Sequence, residues 1–156
     1  MISVEIVLDN KLWNKKLKKA PFFFNRLLKF FPKKYQFKGM EANLTLLLSN
    51  NKNIKKLNKK FRKKNKPTDI LSFPFENKFI LKKNLYLGDM VISYEFMNIP
   101  SFLTNLEFKE KVAKTFIHGF LHLLNYDHIK LKDYKKMVKE ELKIYNHVNK
   151  KIDQFI

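Results

Sequence analysis

His118-Gly-Phe-Leu-His122-Leu-Leu-Asn-Tyr-Asp-His128 gathers three of the chain's four histidines into eleven residues. His118 and His122 are four apart, so on a helix they share one face, about one turn from each other. His128 reaches the same point only if the chain reverses after His122. Asn125 stands where that reversal begins, and helices commonly end on a left-handed residue, usually Gly and sometimes Asn. The stretch therefore predicts a helix, a tight turn and three imidazoles converging on one point. With no fourth protein ligand nearby in sequence, that point reads as a metal with an open coordination position, the pattern of a catalytic zinc site. A lone histidine on an apolar helix is usually a packing or surface residue, and His147 is read that way. Spacing, a suitable turn residue and the scarcity of histidine elsewhere set the triad apart.

The 156 residues are enough for one domain with a real hydrophobic core, and the expectation is a single domain over 1–156. There is no cysteine, so disulfides and thiolate metal sites are excluded, and any metal must be held by His, Asp or Glu. The N-terminus carries early acids and no basic flank before its apolar run, which argues against a signal peptide. No apolar stretch approaches the roughly 20 residues needed to span a bilayer, so a cytoplasmic location with no membrane partner is expected. The formal charge of +19 suggests a polyanionic partner. A chain rich in Lys, Asn, Ile and Phe is also what an AT-rich genome produces, so the charge supports nucleic-acid binding without establishing it.

Outward from the triad the periodicities mark the other elements. Ile2, Val4, Ile6 and Leu8 alternate as a strand. Asp9 or Asn10 caps a helix starting near Lys11, and Pro21 interrupts it or opens a second helix through Phe24, Leu27, Leu28 and Phe31. Phe22-Phe23-Phe24 reads as core packing rather than a stacking platform. Leu44 to Leu48 is a short buried strand. Ser49-Asn50-Asn51 then caps a helix with the stripe Ile54, Leu57 and Phe61, which Pro67-Thr68 ends. Ile70 to Phe73 and Tyr86 to Ser93 are further strands, with Gly88 marking a bulge or a close approach. Phe108, Val112, Thr115 and Phe116 lead into the histidine helix. Leu131, Tyr134, Val138, Leu142, Tyr145 and Val148 make an amphipathic C-terminal helix. Few strands among several helices give an α+β or mixed α/β domain.

The spacing H-x-x-x-H-x-x-[G/N]-x-x-H is similar to that of the metzincin peptidases, but the residue after the first histidine is Gly119 and not the glutamate that serves them as general base. Phosphodiester hydrolysis depends less on that glutamate, because a metal polarises a phosphoryl oxygen and lowers the pKa of a coordinated water to about 7. A nearby cation then stabilises the added charge on phosphorus. Lys52 to Lys66 holds nine basic residues and no acid, and Arg62 stands there among eight lysines. Its planar fork suits bidentate contact with phosphate, whereas most of the lysines are accounted for by a solvated helix face. Asp127, Asp69 and Asp89 are candidates to orient a ligand imidazole, and each is equally a turn residue.

Three ordered motifs then carry a resemblance. His118 to His128 closely resembles the signature HGxLHLxGYDH of the YbeY family of bacterial metal-dependent endoribonucleases and ribosomal RNA maturation factors. Leu57-Asn58, Phe61-Arg62 and Lys66-Pro67-Thr68-Asp69-Ile70-Leu71-Ser72-Phe73-Pro74 resemble its LN..yR..dkpTDVLSFP block. Leu87-Gly88-Asp89-Met90-Val91-Ile92-Ser93 resembles its lGDivIS strand. The resemblance covers roughly residues 57 to 128 and implies an α+β domain with a small mixed sheet of about four strands packed by several helices. It implies one zinc ion on His118, His122 and His128, with Arg62 and His118 in the catalytic set. It implies cleavage of single-stranded RNA in small-subunit rRNA maturation and ribosome quality control, with ribosomal proteins or a ribosome-associated GTPase as partners. The chain departs from the pattern at Asn125, usually Gly, at Asn65, usually Asp, and at Phe120, whose bulk must point away from the metal.

Two other readings make different structural predictions. A zinc-stabilised RNA- or ribosome-binding assembly factor predicts a metal sealed from solvent, contributing to folding. A hydrolase of small or peptide substrates predicts a deep apolar pocket in place of a basic groove.

Overall fold

The structure, a computed structural model, describes residues 1–155. In chain order the elements are β1 (Ile2–Leu8), α1 (Trp13–Lys16), α2 (Ala20–Lys29), β2 (Glu41–Ser49), α3 (Asn51–Arg62), β3 (Ile70–Pro74), β4 (Asn84–Ser93), α4 (Tyr94–Met97), α5 (Asn105–Leu123) and α6 (Leu131–Val148). Short 3-10 turns follow α2 and α6. The strands form one mixed sheet in the order β1-β2-β4-β3. β1 and β2 run parallel with Ile2 opposite Ala42, β2 and β4 are parallel, and β3 is antiparallel to β4. The α+β class and the small mixed sheet expected from the sequence are both present.

One sheet face is the main core. Ala42, Leu44, Leu46 and Leu48 alternate inward from β2, and α2 and α5 pack there with Phe23, Phe24, Phe116 and Phe120 fully buried. Each such burial is worth about 1.5–3 kcal/mol. The aromatic run thus reads as core, with Phe22 alone turned outward. A smaller cluster of Ile54, Leu71 and Val91 seats α3 against the other face. Phe120 meets Phe31 edge-on at 5.1 Å, pointing into the core and away from the histidines.

Asn50 and Pro21 start their helices as expected, whereas α1 begins at Trp13 with no side-chain cap from Asp9 or Asn10, and the Thr104 cap of α5 is an addition to the expected signals. The Asn50 side chain accepts from Asn53 N to cap α3, and Thr104 with Glu107 forms a reciprocal capping box on α5. Pro21 lies in the first turn of α2, where its missing N–H costs nothing. Gly88 is both a bulge and a close approach. Asn43 pairs with Tyr86 but Thr45 pairs with Asp89, so Leu44 alone spans Leu87 and Gly88. The φ of Gly88 is +136°, and a Cβ there would collide with the β3 backbone.

Two further expectations are corrected. α3 ends at Arg62, not at Pro67-Thr68, because Lys63 adopts φ 58°, and Asn58 Nδ2 then donates to Lys66 O at 2.8 Å to pin the loop that follows. The packing face of α6 is also rotated. Met137, Glu140, Ile144 and Val148 are buried, whereas Leu131, Tyr134 and Leu142 are exposed. The rotation carries Glu140 to the hydroxyl of Tyr35, which donates to it. Burial pushes Glu140 up, but the Tyr35 hydrogen bond and the charges of Lys34 and Lys143 outweigh that and hold its carboxyl below the usual value.

Candidate metal centre

α5 delivers the first two histidines. Its C-terminal half is nearly all buried, and His118 and His122 sit one turn apart on the strip that remains half-buried. The helix stops at Asn125, whose φ is 66°. Asn125 N donates to His122 O and Tyr126 N donates to Leu121 O, both at 3.0 Å, the paired bonds of a Schellman ending. The Asn that replaces the usual glycine thus adopts the left-handed geometry required of it. The reversed chain returns His128 to the helix end, where Asp127 Oδ1 accepts from His128 N at 2.7 Å.

One ring nitrogen from each of His118, His122 and His128 falls in a cluster no more than 4.8 Å across. The rings of His118 and His122 are 4.7 Å apart centre to centre, those of His122 and His128 4.9 Å. The outer nitrogens explain the orientation. His118 Nδ1 lies 2.7 Å from Glu141 Oε1 of α6, and His122 Nδ1 lies 2.9 Å from Tyr126 O. A carboxylate and a carbonyl can only accept, so each Nδ1 carries the proton and each Nε2 turns a lone pair inward. Those two Nε2 atoms are 3.1 Å apart. Ligands at about 2.0–2.1 Å from a tetrahedral zinc stand roughly 3.3 Å from each other. Two facing lone pairs repel unless a cation sits between them, so the donor set suits a metal ion.

Burial pushes the His122 imidazole below its usual range, and the neighbouring charges of His118 and His128 act the same way, outweighing the Tyr126 carbonyl. The neutral form that ligates a metal is thereby favoured.

The cluster opens into a groove of about 760 Å³ whose lining includes Arg62, Lys64, Lys66 and Ser72. Arg62 Nη2 donates to Ser72 O at 3.0 Å, which holds the guanidinium on β3 across the groove from the histidines. Ser72 Oγ in turn donates to Gly119 O at 3.0 Å, tying β3 to the metal helix. His128 is exposed and the His118 side chain is 33 % exposed, so the inward nitrogens face an open groove.

The carboxylate that orients the His118 imidazole is Glu141, which the sequence reading missed. Asp127 and Asp69 accept from backbone N–H groups, of His128 and Ile70, and Asp89 pairs with Tyr86. The available signal was the spacing Met137, Glu140, Glu141, Ile144, Val148, a helical face with two acids in it, which the more apolar neighbouring stripe hid. Substituting Glu141→Ala is expected to weaken the affinity of the cluster for a divalent metal by about 10–100-fold. Competition with a chromophoric chelator measures it, and an unchanged affinity would remove Glu141 from the centre.

The family model described as Endoribonuclease YbeY matches residues 7–149. The Endoribonuclease YbeY of Pelagibacter ubique is 66% identical over 97% of this chain and 99% of its own length. The proteins of that name from Ehrlichia canis and Buchnera aphidicola are 33% and 40% identical, the first covering 90% of each chain, the second 88% of this chain and 86% of its own. A match of this extent, on a chain that sets the three signature histidines around one point, establishes that the protein belongs to the YbeY family.

Proposed function

We propose that this chain is a single-strand-specific, zinc-dependent endoribonuclease that matures small-subunit ribosomal RNA and serves ribosome quality control in the cytoplasm. The observation that carries the reading is the half-open cluster of three imidazoles in a groove lined by Arg62, Lys64 and Lys66 against two acids, Asp69 and Asp127. The relatives' shared name supports the activity, and the family resemblance supports the ribosomal role and ribosomal partners.

When bound, zinc supplies Lewis acidity at the open side of the cluster. His118, His122 and His128 hold it, and Glu141 and the Tyr126 carbonyl keep the first two rings in the ligating tautomer. Arg62, anchored by one nitrogen to Ser72 O, keeps its remaining N–H groups for a phosphate and stabilises the charge that develops on phosphorus. Lys64 and Lys66 attract the RNA backbone into the groove. A polar, basic groove at the histidines favours a nucleic-acid substrate over a peptide, and their exposure favours catalysis over a sealed structural metal.

Metal-quantified protein is incubated with single-stranded RNA, with chelated protein and Arg62→Ala alongside. Chelation is expected to abolish cleavage. Arg62→Ala is expected to keep the metal and lose about 10²–10³ in rate, the cost of removing one aimed transition-state donor. No cleavage from fully zinc-loaded protein would transfer the weight to the assembly-factor reading.

A further inference from the structure

A second cleft, of about 600 Å³, lies on the far side of the turn that follows α5. Asn125, Tyr126 and Asp127 line both clefts, so this turn is the ridge between them. The two linings are chemically different. Apart from its histidines, the metal groove has Tyr126 as its single aromatic side chain among the described residues. In the floor of the second cleft the rings of Phe79 and Tyr126 are half-buried and Leu81 is exposed, while Tyr35 and Phe37 are buried in its wall. Its rim carries Lys33, Lys34, Lys38 and Lys136 against two acids, Asp127 and Asp133.

The floor is held in place before any ligand arrives. Tyr35 is buried and donates to Glu140, Phe37 and Phe79 meet edge-on at 6.1 Å, and Lys34 Nζ donates to Tyr126 Oη at 3.2 Å. Lys136 Nζ stands 5.6 Å from the centre of the Tyr126 ring. An apolar, aromatic floor within a cationic rim recognises an unpaired base and its phosphates, because every base has a face to stack and every linkage a negative charge. The volume lies within the roughly 300–1,000 Å³ of ligand pockets.

We propose that this cleft is a base-binding subsite for the RNA strand that crosses the metal groove, taking an unpaired nucleotide removed from the cleaved phosphate. The inference rests on the endoribonuclease reading and adds to it the place where single-strandedness is read. The metal groove itself offers phosphate-binding groups and one aromatic ring, whereas a base can enter the second cleft only when it is free of a partner strand.

The test uses the whole protein and fluorescein-labelled oligouridylates of about three and about ten nucleotides, on either side of the roughly four-nucleotide lower bound of single-strand sites. Binding is read by anisotropy in chelated protein, and cleavage in zinc-loaded protein. Lys38→Glu with Leu81→Asp alters two exposed positions of the cleft away from the histidines. The wild type is expected to bind the longer RNA more tightly, and the double variant to lose about tenfold on the longer RNA and little on the shorter. Cleavage is expected to show the loss in KM with kcat kept. In the wild type, 4-thiouridine RNA is expected to crosslink at Phe79 or Tyr126. Unchanged length dependence in the double variant, with crosslinks confined to the Arg62 side, would overturn the subsite and leave the endoribonuclease reading standing. Length-dependent binding lost in the variant, without cleavage by either protein, would uphold the subsite and overturn the catalytic reading. Absence of RNA binding at both lengths would overturn both.

Discussion

His122→Ala is expected to abolish metal occupancy and RNA cleavage together while leaving the fold in place. His122 stands between the other two imidazoles of the cluster. Its ring contacts those of both His118 and His128, and its Nε2 lies 3.1 Å from that of His118. Removing it leaves two imidazoles, on opposite sides of the Asn125 turn, with nothing to bring them to a common point. Loss of an orienting partner alone costs about 10–100-fold in metal affinity, so loss of the ligand is expected to exceed about a hundredfold. The half-buried side chain supports little of the core, and circular dichroism of the variant is expected to match the wild type. Metal content after dialysis and single-turnover cleavage are the measurements. Wild-type cleavage by metal-free His122→Ala protein would refute the zinc mechanism.

The second large effect is expected at Gly119. α5 lies so close to the sheet there that a Cβ would stand 2.8 Å from Met90 Sδ and 2.9 Å from Ser72 Oγ, and closer still to Ile70 Cδ1. Gly119→Ala is therefore expected to cost about 1–3 kcal/mol through overpacking. Gly119→Glu would press a carboxylate between helix and strand and is expected to prevent folding. The same contact sets the site. Ser72 joins the Gly119 carbonyl on α5 to Arg62 on α3, so the separation of helix and strand fixes the separation of the metal centre and the guanidinium. Gly119→Ala is expected to lower kcat beyond its stability loss when assayed well below its melting temperature. An unchanged denaturation midpoint would show that the Ile70, Met90 and Ser72 side chains give way to the added methyl without loss. The geometry also accounts for the missing peptidase glutamate, since position 119 faces the sheet and not the groove.

Much of the fold was legible because its signals are local. Asn50 and Pro21 act within one turn of where they stand, and inward alternation on β2 needs only the period of a strand. The end of α3 was not legible, because Lys63 enters the left-handed region without the glycine or asparagine that usually marks it. The rotation of α6 was hidden for a different reason. Its exposed Leu131, Tyr134 and Leu142 are as apolar as its buried Met137, Ile144 and Val148, and the packing of those three into the common core turns their face inward, with Glu140 reaching Tyr35 and Glu141 reaching His118 beside them.

By itself the sequence determined which three histidines converge, the helix that carries two of them, and the Asn125 turn that returns the third. All lie within eleven residues, where backbone geometry alone brings the side chains together. Tertiary structure alone decided the strand order β1-β2-β4-β3, the seat of Arg62 on Ser72, and the carboxylate of Glu141 behind His118. It also decided that the His128 turn divides two clefts of unlike chemistry. Each of these joins residues from separate elements, and such pairings form only when burial of the common core makes up for the entropy of closing the chain between them.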